Sequence, residues 1–123
     1  MTKSLSIVGN IKRLDDSVEL MTEAINIAET YTEVNVQEIT LAASATDDAI
    51  DFGGIATAQL FLIVPTYVTS GTSYLTCKIN GGSEDIKFGK LLAIGGKSAN
   101  GITSISITNP DTSNDVQLKV YMA

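Results

Sequence analysis

Two short stretches hold the side chains that chemistry usually needs. Gly95-Gly96-Lys97-Ser98 has the ending of a phosphate loop, and Asp47-Asp48-Ala49-Ile50-Asp51 sets three carboxylates close together. A phosphate loop needs a glycine five residues before Gly96, and Leu91 stands there. It also needs a following helix whose N-terminus meets the phosphate, yet Ala99-Asn100-Gly101 leads into a β-branched run. That stretch reads as a glycine-rich turn. Carboxylates and backbone carbonyls together can gather calcium, but this spacing does not match the helix-loop-helix calcium loop and no Glu closes it. A solvated acidic loop is the simpler reading. Paired acids elsewhere could cleave a glycoside, but no aromatic-rich substrate groove accompanies them.

What the chain lacks narrows the chemistry further. It contains no His and no Trp. Ser–His and Cys–His pairs, two-His zinc sites and the usual base near neutral pH are therefore excluded. A Ser-x-x-Lys arrangement fails too: Gly9, Leu75, Glu84, Lys87, Ile94 and Val116 stand three residues before the lysines from Lys12 onward. Cys77 is the single cysteine, flanked by Tyr74, Leu75, Thr76 and Ile79, and reads as a small apolar residue of a buried strand. With no second cysteine there is no intramolecular disulfide, and a reducing place of synthesis is expected. No residue is assigned a catalytic, cofactor-binding or metal-binding role.

The elements must then be the message. A chain of 123 residues at 13.0 kDa suits one domain. Area scaling gives about 6,300 Å² folded against about 19,000 Å² unfolded, enough burial for a core without staples. Net charge is −6. Residues 1–51 hold ten acids against three cations, and residues 52–123 hold four acids against five lysines. Such a surface repels phosphate backbones and anionic membranes, so neither nucleic acid nor membrane is an expected partner. The opening residues do not read as a signal peptide, because Leu5–Val8 is broken by Ser6 and stopped by Gly9-Asn10. The longest aliphatic–aromatic run, Leu60–Val64, is too short to span a bilayer, and a soluble protein is expected.

Alternation is the strongest local signal. Ile105 and Ile107 point one way while Ser104, Ser106 and Thr108 point the other; Val116, Leu118, Val120 and Met122 share a face. Asn109-Pro110-Asp111 with Ser113 and Asn114 supplies turn chemistry, so Ile102–Met122 reads as a closing hairpin. Earlier, Leu5 and Ile7 alternate with serines. Val34 and Val36 followed by Ile39, Leu41 and Ala43 suggest a strand with a bulge near Gln37-Glu38. Ile55–Val64, Tyr74–Ile79 and Ile86–Ile94 complete the strands, with Asn80-Gly81-Gly82-Ser83 and Gly95-Gly96 as turns. The fold expected is all-β: an antiparallel β-sandwich, jelly-roll-like or Ig-like, of about seven to eight strands. It fills residues 1–123 as one domain, with residues 1–10 as an N-terminal arm. Residues 17–28 read two ways. Asp16-Ser17-Val18-Glu19 fits a capping box and Leu20, Met21, Ala24, Ile25 and Ala28 fall on one helical face, whereas Ile25-Asn26-Ile27 with flanking Thr and Tyr fits a strand.

Read in order, SLSIVGNI, VNVQEITLAASATDDAIDFGGIATAQLFLIV, EDIKFGKLLAIGG and GITSISITNPDTSNDVQLKVYMA resemble the small virion structural proteins of tailed bacteriophages. In those, a short β-opening and a Thr/Ser-rich stretch lead to an acidic–acidic–x–Ile–Asp–x–Gly turn, here within Asp47–Gly54. An aliphatic strand, a Lys-containing strand ending in Gly and a last hairpin follow. Two segments depart from the pattern: Pro65–Ser73 is a longer connection, and Met21–Ala28 carries more helix formers. The resemblance implies strand over helix for Val18–Ile27. It implies a decoration or cement protein that binds the head shell, with the major capsid protein or other virion proteins as partners. It also implies closed homo-oligomers, a trimer first among them, made in the host cytoplasm and residing on the capsid surface or at the neck or tail.

Three other readings stay in play beside it. A tail, neck or fibre-base component shares every feature above. A surface carbohydrate- or host-binding module would use Tyr67, Tyr74 and Tyr121 as a stacking surface, though each is also a plain strand former. An enzyme working through two carboxylates is the third class.

Overall fold

The computed structural model describes residues 3–15, 17–31, 33–95 and 101–123. Among them no helix occurs, and ten strands form antiparallel sheets, more than the seven or eight expected. The chain divides into two compact units, Met1–Val34 and Asn35–Ala123.

The first unit is a two-stranded ribbon. β1 (Lys3–Asp15) pairs antiparallel with β2 (Val18–Tyr31) from Lys3↔Tyr31 to Asp15↔Val18. The register shifts once, between Arg13 and Leu14, where Leu20 is the unmatched residue. The helix reading of 17–28 is therefore corrected to strand. Asp16 lies outside the described residues, but Ser17 stands at φ 67° and Val18 and Glu19 already pair with Asp15 and Leu14, so no helix starts there. The helical stripe loses because β1 offers an alternating partner over the whole length, putting Ile7 opposite Ile27 and Gly9 opposite Ile25.

The second unit is a sandwich of two four-stranded sheets. One runs β3 (Asn35–Leu41), β10 (Val116–Met122), β5 (Leu60–Thr66), β8 (Leu92–Gly95). The other runs β4 (Asp48–Ala49), β9 (Ile105–Thr108), β6 (Leu75–Ile79), β7 (Ile86–Phe88). One buried cluster joins them. Leu41, Phe61, Ile63, Leu118 and Val120 come from the first sheet, and Leu75, Cys77, Ile105 and Ile107 from the second. Phe52 and Phe61 pack with ring centroids 5.9 Å apart and planes tilted by 32°.

Three strand readings change in detail. β3 has no bulge, because its pairing with β10 is unbroken from Leu41↔Val116 to Asn35↔Met122. Val36 therefore faces out, while Gln37 shares the parity of Ile39 and Leu41 and donates from Nε2 to the Asp51 carbonyl at 2.7 Å. Ile86–Ile94 is two strands in different sheets, β7 and β8, and the chain crosses between layers at Gly89–Leu91. Ile55–Val64 becomes β5 only from Leu60; before it, Ala58 makes an isolated bridge with Ile102. β5 continues through Pro65, beyond the end of β8, where it has a neighbour on one flank only and a missing N–H is tolerated.

The largest correction concerns the closing segment. β9 and β10 do not form a hairpin: they lie in opposite sheets, and residues 109–115 carry the chain across. Asn109, 1% exposed, builds that corner. Its Nδ2 donates to the carbonyls of Asn114 at 2.9 Å and Ala42 at 3.2 Å, and its Oδ1 accepts the Asp111 N–H at 3.1 Å. Its own N–H donates to the Ala45 carbonyl at 2.8 Å. One side chain thus ties the end of β9 to the segment after β3. β10 then runs as an interior strand, paired with β3 and β5 on its two flanks.

Candidate functional site

The residues singled out for chemistry sit in turns and hold them. Asp47, at φ 50°, receives both oxygens' worth of contact from Lys78, whose Nζ donates to Oδ1 and Oδ2 at 3.1 Å each. Its N–H donates to Thr108 Oγ1 at 2.9 Å. Asp47 thereby raises the Lys78 pKa, first through that hydrogen bond and then through its charge. Asp51 Oδ1 accepts the N–H of Gly53, which stands at φ 60° where a side chain would be strained. Asp48 lies on β4 opposite Ile107. The acidic loop is drawn apart by its own partners, and among the described residues no three His, Cys, Asp or Glu side chains gather around a common point.

Gly95 ends β8, and Gly96, Lys97 and Ser98 lie outside the described residues. Cys77 is 2% exposed within β6, between Ile86 and Ile107, and burial together with nearby Asp85 pushes its thiol up. Of the tyrosines, Tyr67 donates its hydroxyl to the Gly89 carbonyl at 2.7 Å, and burial raises its pKa. Tyr74 lies under Lys87, whose Nζ is 3.9 Å from the ring centroid. Both rings already have intramolecular work. Tyr121 differs: it stands on the outward face of β10.

The register makes that outward face a distinct surface. Tyr121 pairs with Val36 on one side and Leu62 on the other, and Leu62 pairs with Ala93. An apolar row therefore crosses the whole β3-β10-β5-β8 sheet, with Val36 58% exposed at its edge. The next row sets Glu38 opposite Lys119, beside Val64, and the third sets Thr40 and Thr66 about Gln117. Glu38, Thr66, Gln117 and Lys119 rim a shallow depression of about 250 Å³. The opposite sheet presents Thr76, Lys78, Ser106 and Thr108 outward, with no aromatic among them. Sequence alternation had located Tyr121 on the polar side of its strand; the row it completes needed cross-strand register, which one sequence does not carry.

Asp111 is the most perturbed acid among the described residues. It accepts N–H groups from Thr72 at 2.7 Å, Ser113 at 2.9 Å and Asn114 at 3.1 Å, with Asn114 Nδ2 at 3.1 Å as well. The backbone donors, led by Ser113 and Thr72, lower its pKa to about 2. Its carbonyl accepts the N–H of Ser44 at 2.8 Å. Three separate segments meet there, and the group locks them as a carboxylate.

Comparisons with protein-family models, with curated proteins and with solved structures give no match to this chain.

Proposed function

We propose that this protein is a virion structural protein of a tailed bacteriophage, a capsid decoration or cement protein that docks on the major capsid protein and stabilises the head shell. The observation that carries the reading is the outward face of the β3-β10-β5-β8 sheet. Val36, Tyr121, Leu62 and Ala93 make a flat apolar row there, bordered by the opposite charges of Glu38 and Lys119. A row of that kind, with an aromatic at its centre and a polar rim, suits protein docking. The charged and hydroxyl-bearing face of the other sheet suits solvent. The acids with defined partners support the same reading, since Asp47, Asp51, Asp111 and Asp115 accept hydrogen bonds that fasten turns and corners. Repetition over a symmetric lattice would let a contact of this modest size act through avidity. No cofactor belongs to this proposal.

Counting this polypeptide in purified particles by mass spectrometry tests it. Copies in the hundreds support a head decoration protein. About six to a dozen would move it to the neck or tail, where cyclic assemblies have such counts. Its absence from the particle would end the proposal. Tyr121→Asp supplies the residue-level test: rebinding to stripped shells should weaken by at least about tenfold, the effect of losing a central aromatic anchor.

A further inference from the structure

The two flanks of the sandwich are finished differently. On one, the chain caps its own core: residues 50–53 leave β4 and pass β3, where Gln37 Nε2 reaches the Asp51 carbonyl at 2.7 Å, and Ile50 and Phe52 are buried. On the other, β7 and β8 end their sheets and the short crossover Gly89–Leu91 joins them. Residues directly opposite in an antiparallel pair share a face. Ile86 stands opposite Cys77, Leu92 opposite Ile63 and Ile94 opposite Phe61, so all three belong to the inward layer. Their opposite numbers are fully buried, yet Ile86 is 40% exposed and Leu92 and Ile94 are only half-buried. Leu91 beside them is 53% exposed. The apolar layer runs out to this edge and stops uncovered.

β8 is also the edge least defended against another strand. β4 has two residues and follows Asp47, β7 has three with Lys87 in the middle, and β3 carries Glu38. Short or charged edges of that kind discourage pairing. Leu92-Ala93-Ile94-Gly95 holds no charge, and no acid stands from Ile86 to Gly95 although the chain's net charge is −6. Among the described residues nothing pairs with the far side of β8.

The same edge of a second copy fits it. With the two strands antiparallel about a twofold axis at Ala93, Leu92 of each copy faces Ile94 of the other, and each covers what the other leaves open. Leu91 then falls opposite Gly95, where an added side chain would meet nothing within 4 Å. The two Lys90 residues stand six positions apart along the pair, about 20 Å, which is well beyond the roughly 8 Å screening length. Lys87 stays over the Tyr74 ring at 3.9 Å. The Val36-Tyr121-Leu62-Ala93 row continues through Ala93 into the second copy, so the pairing extends an apolar surface already present.

We infer that two copies of this chain pair through β8, edge to edge about a twofold axis at Ala93, joining their β3-β10-β5-β8 sheets into one. This goes beyond the virion reading and does not rest on it: the free protein decides the one, and the particle decides the other.

Sedimentation equilibrium of the full chain over a concentration series tests it. The wild type should pass from 13.0 kDa toward twice that mass. The midpoint should be micromolar, since the contact is smaller than the roughly 1,200 Å² of stable interfaces. Ala93→Asp and Ala93→Lys each set like charges against each other at the axis. Each alone should stay monomeric where the wild type is dimeric, with its unfolding midpoint in dilute solution unchanged. An equal mixture of the two should recover the dimer mass, because a residue at the axis meets its own counterpart. Val36→Lys, at the far edge of the same sheet, should dimerise like the wild type. A wild type that stays monomeric, or settles at a trimer or larger, overturns the inference. So does a mixture that remains monomeric, or a Val36→Lys variant that loses the dimer.

Discussion

The ribbon and the sandwich are written in the same alternating grammar and complete it differently. In the sandwich, the apolar half of each strand meets another apolar half from the opposing sheet, and Phe61, Ile63, Ile107 and Val120 are fully buried. In the ribbon, one face mixes Ile7, Ile11, Ile25 and Ile27 with Glu23, and Ile11 and Ile27 remain about half exposed. A two-stranded hairpin is marginal alone, whereas two packed sheets are self-sufficient. The lesson is that alternation specifies which residues seek burial, and topology decides whether the chain supplies it internally.

The sharpest way to break that comparison is to make one cavity in each region. Phe61→Ala should cost about 3–5 kcal/mol of unfolding free energy, since a fully buried ring leaves a void. Ile27→Ala should cost less than about 1 kcal/mol, as a substitution at a residue 44% exposed does. Denaturant titration reads both, and equal losses would erase the distinction.

Next in size comes the corner that joins the sheets. Asn109→Leu keeps the volume but strands the Ala42 and Asn114 carbonyls and the Asp111 N–H, at a cost of about 1–3 kcal/mol. If β9 and β10 were a simple hairpin, this substitution would be mild.

A third expectation is a pH signature at the same corner. Folding lowers the Asp111 pKa from 3.8 to about 2, so the folded state binds that proton more weakly than the unfolded chain. Its stabilisation is complete above pH 3.8 and is lost as pH falls from there toward about 2. Asp111→Asn should flatten this part of the stability–pH curve relative to the wild type. Identical curves would remove Asp111 as the lock.

The smallest stability effect belongs to the docking row. Val36→Ser should change unfolding by no more than about 0.5 kcal/mol while weakening shell rebinding. A large stability loss would mean that the row serves the fold.

These contrasts also mark what the sequence disclosed. Period-2 patterns in Ile105–Thr108 and Val116–Met122 gave the inward residues correctly, because a half-buried strand imposes that period on any fold. They could not say which strands pair. Asn109-Pro110-Asp111 looks alike in a hairpin turn and in an inter-sheet corner, although the seven residues from 109 to 115 are long for a tight hairpin. Val34, Val36 and Ile39 invited a bulge since valine was assumed inward; in the fold Val36 faces out, and a hydrogen bond to the Asp51 carbonyl lets Gln37 face in. Residues 17–28 satisfied helical and strand templates together, and only the matching alternation of β1 decided between them. β4, two residues long, has no periodic signal to read. The Tyr121 row was invisible for the same reason as the corner: it exists across strands.

Residue-resolved amide exchange on the full chain tests the division between a self-sufficient sandwich and a two-stranded ribbon most directly. The account predicts that β5, β9 and β10 amides exchange slowly and the β1 and β2 amides much faster. Ribbon amides as slow as those of β10 would contradict it.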